Sequence, residues 1–248
     1  MDPMLHHTIY EVEKHFWWYV GRRRIIFDVI NHLLPWQARR ALDIGCGSGL
    51  NALFLPAQIK ETIGIEISDD AIKAAAHTNP RLIIIKGTWP DVSVPGSFDL
   101  VICLDVLEHI KDDRIALRAI ESLLVPGGIA ILSVPAFPFL WSDHDVIAHH
   151  FRRYTRPRMR MLLHTHTHLE ILRLSYFNFF LFFPIVLFRA LKKIIPLRSG
   201  ASHIFSVSKP INTLLTSLLG AERFLIRFFN LPVGVSLLCV LKKPHLKE

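Results

Sequence analysis

The segment Asp43-Ile44-Gly45-Cys46-Gly47-Ser48-Gly49 follows a short apolar run and precedes residues of helical character. Glycines at such a junction let the backbone turn tightly and approach a ligand closely. The spacing is G-x-G-x-G; a dinucleotide fingerprint would place glycine at position 50, which is Leu50. A phosphate-binding Gly-Lys-Ser/Thr is absent, and a tight turn without a ligand would use the same glycines. Glu66 closes the next apolar run, where a carboxylate can accept hydrogen bonds from both hydroxyls of a ribose. Asp105, Glu108 and His109 are spaced i, i+3, i+4 and share a face if that segment is helical. Two carboxylates and an imidazole suit a divalent metal, and His109 also suits a general base. A polar stretch holds Trp141-Ser142-Asp143-His144-Asp145 and His149-His150-Phe151-Arg152-Arg153-Tyr154. His144, His149 and Tyr154 are its candidates for base and acceptor contacts. The competing role for this stretch is bracing, with arginines paired to Asp143 or Asp145.

Elements able to position these groups follow from periodicity. A helix is expected over 5–18, a break at Gly21, and a second helix over 22–34 ended by Pro35. Strands are expected over 41–44, 62–67, 82–86, 98–103 and 129–134. Helices are expected from the glycine turn to about Pro56, over 68–77 and over 114–124. Such alternation predicts an α/β fold, a parallel sheet with helices on both faces. The polar stretch after the fifth strand then hangs over the ligand-binding end of the sheet. Beyond it come a helix over 157–165, a strand over 169–176, the apolar segment 177–188, a helix over 211–229 and a last strand over 233–241.

Three further motifs sit in order: Phe98-Asp99-Leu100-Val101, Leu107-Glu108-His109-Ile110 and Leu124-Val125-Pro126-Gly127-Gly128. Together with the glycine turn they resemble the class I S-adenosylmethionine (SAM)-dependent methyltransferases, and more distantly the ubiquinone-pathway O-methyltransferases. The resemblance implies a Rossmann-like, seven-stranded doubly wound sheet with the last strand antiparallel. A hydrophobic helical insertion would separate the last two strands. It implies SAM as cofactor and S-adenosylhomocysteine as product. Asp43, Gly45, Cys46, Gly47 and Gly49 would lie against the amino-acid end of SAM. Glu66 would hold the ribose, Ile67 would pack on the adenine, and Leu104 would contact the cofactor through its backbone. Thr88 and Trp89 follow the third strand, and Thr88 stands where the family often has an acid. Trp18 and Arg23 ahead of the fold would complete the site, the arginine pairing with the SAM carboxylate. Similar enzymes carry a carboxylate and Glu-His for a divalent ion, which maps to Asp105, Glu108 and His109.

Composition bounds the rest. With 248 residues, 51% hydrophobic and 20% charged, the chain suits one large domain. Its parts would be N-terminal helices over 1–36, a SAM-binding core over 37–135, and an acceptor-side region over 136–248. Cys46, Cys103 and Cys239 form no C-x-x-C pair, which argues for a reducing compartment. The first ten residues do not read as a secretory signal, so a cytoplasmic location is expected. Residues 1–150 carry 13 Lys and Arg against 18 Asp and Glu; residues 151–248 carry 16 against 3. Basic charge beside Phe and Leu points to peripheral contact with the inner face of a membrane through 177–230, and not to nucleic acid. Leu104-Asp105-Val106-Leu107 also lacks the Asn/Asp-Pro-Pro-aromatic pattern of nucleic-acid amino-methylases. The expected reaction is O-methylation of a lipophilic or lipid-linked small molecule. The alternatives are methylation of a saccharide intermediate and a non-catalytic SAM-binding partner subunit at the membrane. The acceptor and the oligomeric state are not legible.

Overall fold

The computed structural model describes residues 12–194 and 207–245. The part of the expected 5–18 helix before residue 12 lies outside them. The described part is a turn closed by Val12, whose carbonyl accepts from the Phe16 N–H at 2.7 Å. Helix α1 (Trp17–Leu33) then runs straight through Gly21. The expected break there is corrected: Gly21 is a packing position, since a Cβ would meet Leu219 Cδ2 at 2.6 Å.

The sheet strands are β1 (Arg40–Ile44), β2 (Glu61–Glu66), β3 (Ile83–Lys86), β4 (Phe98–Leu104), β5 (Leu124–Pro135), β6 (Glu170–Phe177) and β7 (Ser236–Lys242). Their order is β3-β2-β1-β4-β5-β7-β6. β1 to β5 are parallel, while β7 runs antiparallel to both β5 and β6. This is the α/β, seven-stranded doubly wound arrangement that the motifs implied. β5 begins earlier than expected. Phe98 pairs with Leu124 and Leu100 with Ile129, so Pro126-Gly127-Gly128 forms a bulge within the strand.

One face of the sheet is covered by α3 (Asp113–Leu123) and α5 (Arg156–His166), with the short helix α4 (Asp143–Ile147) between them in the chain. α2 (Asp69–Thr78) follows β2, with the Ser68 hydroxyl accepting from the Ala71 N–H at its start. The helix expected after the glycine turn is only a 3₁₀ turn, Asn51–Phe54. Leu55 is extended (φ −63°, ψ 145°) because Pro56 crowds a helical residue before it.

Between β6 and β7 lie α6 (Phe182–Ile194) and α7 (Lys209–Phe228). α7 lies along α1 and carries Leu219 and Ile226 into the core with Ile25 and Ile30. The ion pair Arg227–Asp28 (3.0 Å) and the Asn212 amide, which bonds the Trp17 N–H and the His15 carbonyl, fix the register of the two helices. The outer faces stay exposed: Phe183 and Leu187 on α6, Leu214 and Phe228 on α7. Among the described residues no helix is long and apolar enough to cross a membrane.

The close approach at Gly21 gives a direct prediction. Gly21→Ala gains helix propensity but forces α7 outward, and overpacking of this kind costs about 1–3 kcal/mol. Urea unfolding of Gly21→Ala reads the loss. A variant as stable as the parent would show that α7 yields freely.

Candidate functional site

Strands β1, β2, β4 and β5 end on one side of the sheet, and every strong candidate gathers there. Gly45, Gly47 and Gly49 have φ of +69°, +55° and +71°, a conformation that side chains resist. The Gly45 and Cys46 N–H groups donate to the Ile65 carbonyl, tying the turn to the end of β2. The Cys46 sulfur occupies space that a Gly64 Cβ would need, 2.5 Å away. Glu66 accepts from the Gly47, Ile67 and Ser68 N–H groups at 3.0, 2.8 and 2.9 Å, which fixes its carboxylate beside the turn. Ile67 is 59% exposed and presents an apolar face next to it.

Asp43 is buried with Oδ2 unpartnered. Burial pushes its pKa up to about 7, opposed by Arg22 and reinforced by Glu66 and Glu13. A buried orphan carboxyl oxygen and a backbone cradle fit an ammonium-bearing, ribose-bearing cofactor. Leu104 is buried at the end of β4. Thr88 is exposed, whereas Trp89 is buried in the core and is no surface for adenine. Trp18 stacks on Phe177 at 5.8 Å, so its ring is committed to protein packing. Arg23 is buried, donates to the Glu13 carbonyl and covers the Phe54 ring. Arg22 is the arginine aimed into the site: it pairs with Asp105. Glu13 also reaches the glycine turn, accepting from the Ser48 hydroxyl.

The expected helical face of Asp105, Glu108 and His109 is not formed. Asp105 has φ +56°, and only a 3₁₀ turn, Leu107–His109, follows. Asp105 turns toward Arg22 and accepts from the Ser133 hydroxyl at 2.9 Å. The group that converges is Glu108, His109 and His150, whose ligand atoms lie within 4.8 Å of one another. Glu108 is 1% exposed with both carboxyl oxygens unpartnered. Burial, and then Asp105, raises its pKa well above the usual carboxylate range. His109 is lowered to about 4 by burial and by His150. The two rings meet edge to face at 4.7 Å, and His144 lies 5.9 Å beyond His150.

His150 is the residue that sequence reasoning passed over. Its Nδ1 lies 2.9 Å from Asp145 Oδ1, so it is placed to donate there and leave Nε2 free. Asp145 also accepts from Arg153 Nε and Nη2 at 2.7 and 2.9 Å and from the Ser142 N–H. Burial opposes its ionisation, but His150 and Arg153 outweigh it and hold the carboxyl below the usual range. His149 is exposed with φ +57° and stands outside the cluster. Tyr154 is sealed in the core, its hydroxyl donating to Asp113 at 3.0 Å. Burial and Asp113 raise its pKa, so it braces the loop and does not face an acceptor.

A family model described as a methyltransferase domain matches residues 19–178. The ubiquinone biosynthesis O-methyltransferase of Albidiferax ferrireducens is 31% identical over 134 residues, covering 48% of this chain and 53% of that relative. The chain thus spans about half the length of the curated relatives it matches. Among solved structures, a chain from the complex of the Haloferax volcanii Trm112 methyltransferase activator with a methyltransferase aligns with a TM-score of 0.62 at 18% identity. It covers 99% of this chain and 96% of that one. The N-methyltransferase NodS of Bradyrhizobium japonicum aligns with a TM-score of 0.53 at 14% identity, covering 95% and 97%.

The two shifted groups predict opposite pH slopes. Asp43 keeps its proton in the ligand-free folded chain to about pH 7, against 3.8 for an unperturbed aspartate, so stability falls as pH rises between them. His109 stays neutral to about pH 4, against 6.5, so stability is lost as pH falls through that window. Asp43→Asn removes the first slope. Its thermal stability by calorimetry should drop more steeply from pH 7 to pH 5 than the parent's; identical profiles would mean Asp43 is ionised at neutrality.

Proposed function

The chain belongs to the methyltransferase-domain family and is a class I SAM-dependent enzyme, and on that premise we propose that it methylates a hydroxyl on an apolar acceptor met at a membrane surface. The observation that carries the reading is the Asp145–His150 pair beside His109, placed at the ends of β4 and β5. Bound SAM would supply an electrophilic methyl group, leaving S-adenosylhomocysteine as the product. Oxygen acceptors need a base, and His150 Nε2 takes the hydroxyl proton while Nδ1–H stays on Asp145. Arg153 holds Asp145 ionised, so the imidazolium that forms has a fixed counter-charge. His109, neutral at pH 7, can accept a hydrogen bond from the acceptor or from His150.

The apolar acceptor is supported by an aromatic cluster that follows Ala136, whose carbonyl accepts from the Arg153 that holds Asp145. Phe137 leaves β5 with φ +55° and stacks on Tyr176 at 4.7 Å, with Phe139 and Phe182 at 5.2 and 5.5 Å. The relatives named as ubiquinone biosynthesis O-methyltransferases agree with an aromatic, lipophilic acceptor. Membrane contact is supported by the exposed apolar faces of α6 and α7 in a segment rich in Lys and Arg.

A second reading of the same cluster is favoured by Glu108. Its buried, unpartnered carboxylate with His109 and His150 fits a divalent cation, while Asp105 does not join them. Such an ion would act as a Lewis acid on the acceptor oxygen.

Titration calorimetry with SAM tests the cofactor site: Glu66→Ala should weaken binding at least tenfold. Transfer of labelled methyl to isoprenoid phenols tests the chemistry. His150→Gln should lower kcat by about 10²–10⁴ with SAM affinity unchanged. Full activity in His150→Gln would remove the base assignment. Activity abolished by chelation and restored by zinc or magnesium, with Glu108→Gln losing bound metal, would favour the cation.

A further inference from the structure

The helix pair α1–α7 carries a second feature on its exposed face. A cleft of about 420 Å³ is lined by Arg24 from α1 and by Ser217, Gly220, Ala221, Arg223 and Phe224 from α7. Gly220 makes it possible for Arg24 to lie across α7, since a Cβ there would stand 2.9 Å from Arg24 Cδ and 3.4 Å from Nη1. Arg24 is exposed, and Arg223 is half-buried with its Nε unpartnered. Among the described residues neither forms an ion pair with a carboxylate. Of the nearby acids, Asp28 holds Arg227, and Glu222 is buried, with Oε1 accepting from the Phe179 and Phe180 N–H groups. Arg24, Arg223 and Ser217 thus line one cleft with no anion among the described residues paired to the two guanidinium groups.

The rim of the cleft is apolar. Leu214, Ser217, Ala221, Phe224 and Phe228 follow each other at three- and four-residue steps, a single stripe along α7. Leu214, Phe224 and Phe228 on that stripe are 66%, 54% and 71% exposed. The Arg223 guanidinium covers the Phe224 ring at 4.7 Å, which spreads its charge over the edge of the apolar patch. Guanidinium forks recognise phosphate oxygens in pairs. Phosphate beside exposed phenylalanines is the chemistry of a phospholipid at the bilayer interface, where basic residues meet headgroups and aromatic rings enter the acyl boundary.

We propose that Arg24 and Arg223 bind the phosphate of an anionic phospholipid headgroup while Phe224 and Phe228 seat in the bilayer beside it. This rests on the reading that the enzyme works at a membrane surface and assigns the docking face to α7. The site orients the enzyme through the α1–α7 pair, the same pair that carries Arg22 to the cofactor end.

Co-sedimentation of the full chain with phosphatidylglycerol and with phosphatidylcholine vesicles tests it. The parent should prefer phosphatidylglycerol vesicles. Arg24→Gln/Arg223→Gln should weaken that binding roughly thirtyfold, and Phe224→Ser/Phe228→Ser should weaken binding to both vesicle types. Calorimetric SAM affinity should be unchanged in both variants, which shows that they are folded. Phosphatidylglycerol binding that survives Arg24→Gln/Arg223→Gln overturns the site but leaves membrane docking standing. No vesicle binding by the parent overturns both. Displacement from vesicles by millimolar inorganic phosphate at constant ionic strength would identify a free-phosphate site and overturn the lipid assignment.

Discussion

Asp43, Asp105, Glu108 and Glu13 crowd the ligand-binding end of the sheet, and the buried guanidinium of Arg22 has to answer them. Carboxylates this close, and mostly out of water, repel each other and resist ionisation unless a cation stands among them. Arg22 is 7% exposed, paired with Asp105, and its charge opposes the upward shifts of Asp43, Glu108 and Glu13. Asp105 in turn holds β5 through the Ser133 hydroxyl, and its own N–H donates to the Ser133 carbonyl. The geometry that follows β4 therefore hangs on one ion pair to a helix that precedes the whole sheet.

That dependence gives the insertion between β6 and β7 a role beyond surface chemistry. Arg22 can reach Asp105 only if α1 lies close over the sheet. α1 is held from outside by α7, at Gly21 against Leu219 and at each end by Asn212 and the Asp28–Arg227 pair. The last helix of the chain thus locks the first described helix, and the first supplies the counter-ion of the site. The opposite faces of α7 divide the work: Leu219 and Ile226 are buried, while Leu214 and Phe228 remain exposed.

Much of this was legible because it is local. The order of short apolar runs and helical stretches specified the sheet, and the glycine turn and Glu66 are where their spacing put them. What misled was local reading of residues whose reason is distant. Gly21 looks like a helix break, yet its missing side chain serves Leu219, nearly two hundred positions away. Asp105, Glu108 and His109 have helical spacing, but the left-handed backbone at Asp105 sends its carboxyl to Arg22. Of the adjacent His149 and His150, the positive φ at His149 decides which ring enters the cluster, and no periodicity encodes that. Arg22 and Arg23 are neighbours too, and only the way α1 docks separates the one facing the site from the one covering Phe54.

Glu108 sharpens what the cluster is for. A carboxyl with both oxygens buried and unpartnered costs several kcal/mol if ionised. Among the described residues no group hydrogen-bonds those oxygens, and the charges of Arg22 and Arg153 offset the burial only in part. Arg153 lies near but is spent on Asp145, and Arg22 on Asp105. The Glu108 carbonyl is pinned by the Phe151 N–H, so the segment cannot swing the carboxyl into water without releasing the loop that carries His150. A proton on Glu108 answers this, and a bound water or a cation shared with His109 and His150 would answer it too. A cation shared with His150 would require the loop after β5 to be closed over the 3₁₀ turn after β4. Tyr154 and Arg152, anchored on Asp113, and Arg153, anchored on Asp145 and the Ala136 carbonyl, supply that closure. Under the proposed function, bracing and chemistry in this stretch need not be alternatives: the braces set the distance between His150 and Glu108, on which a shared cation would depend.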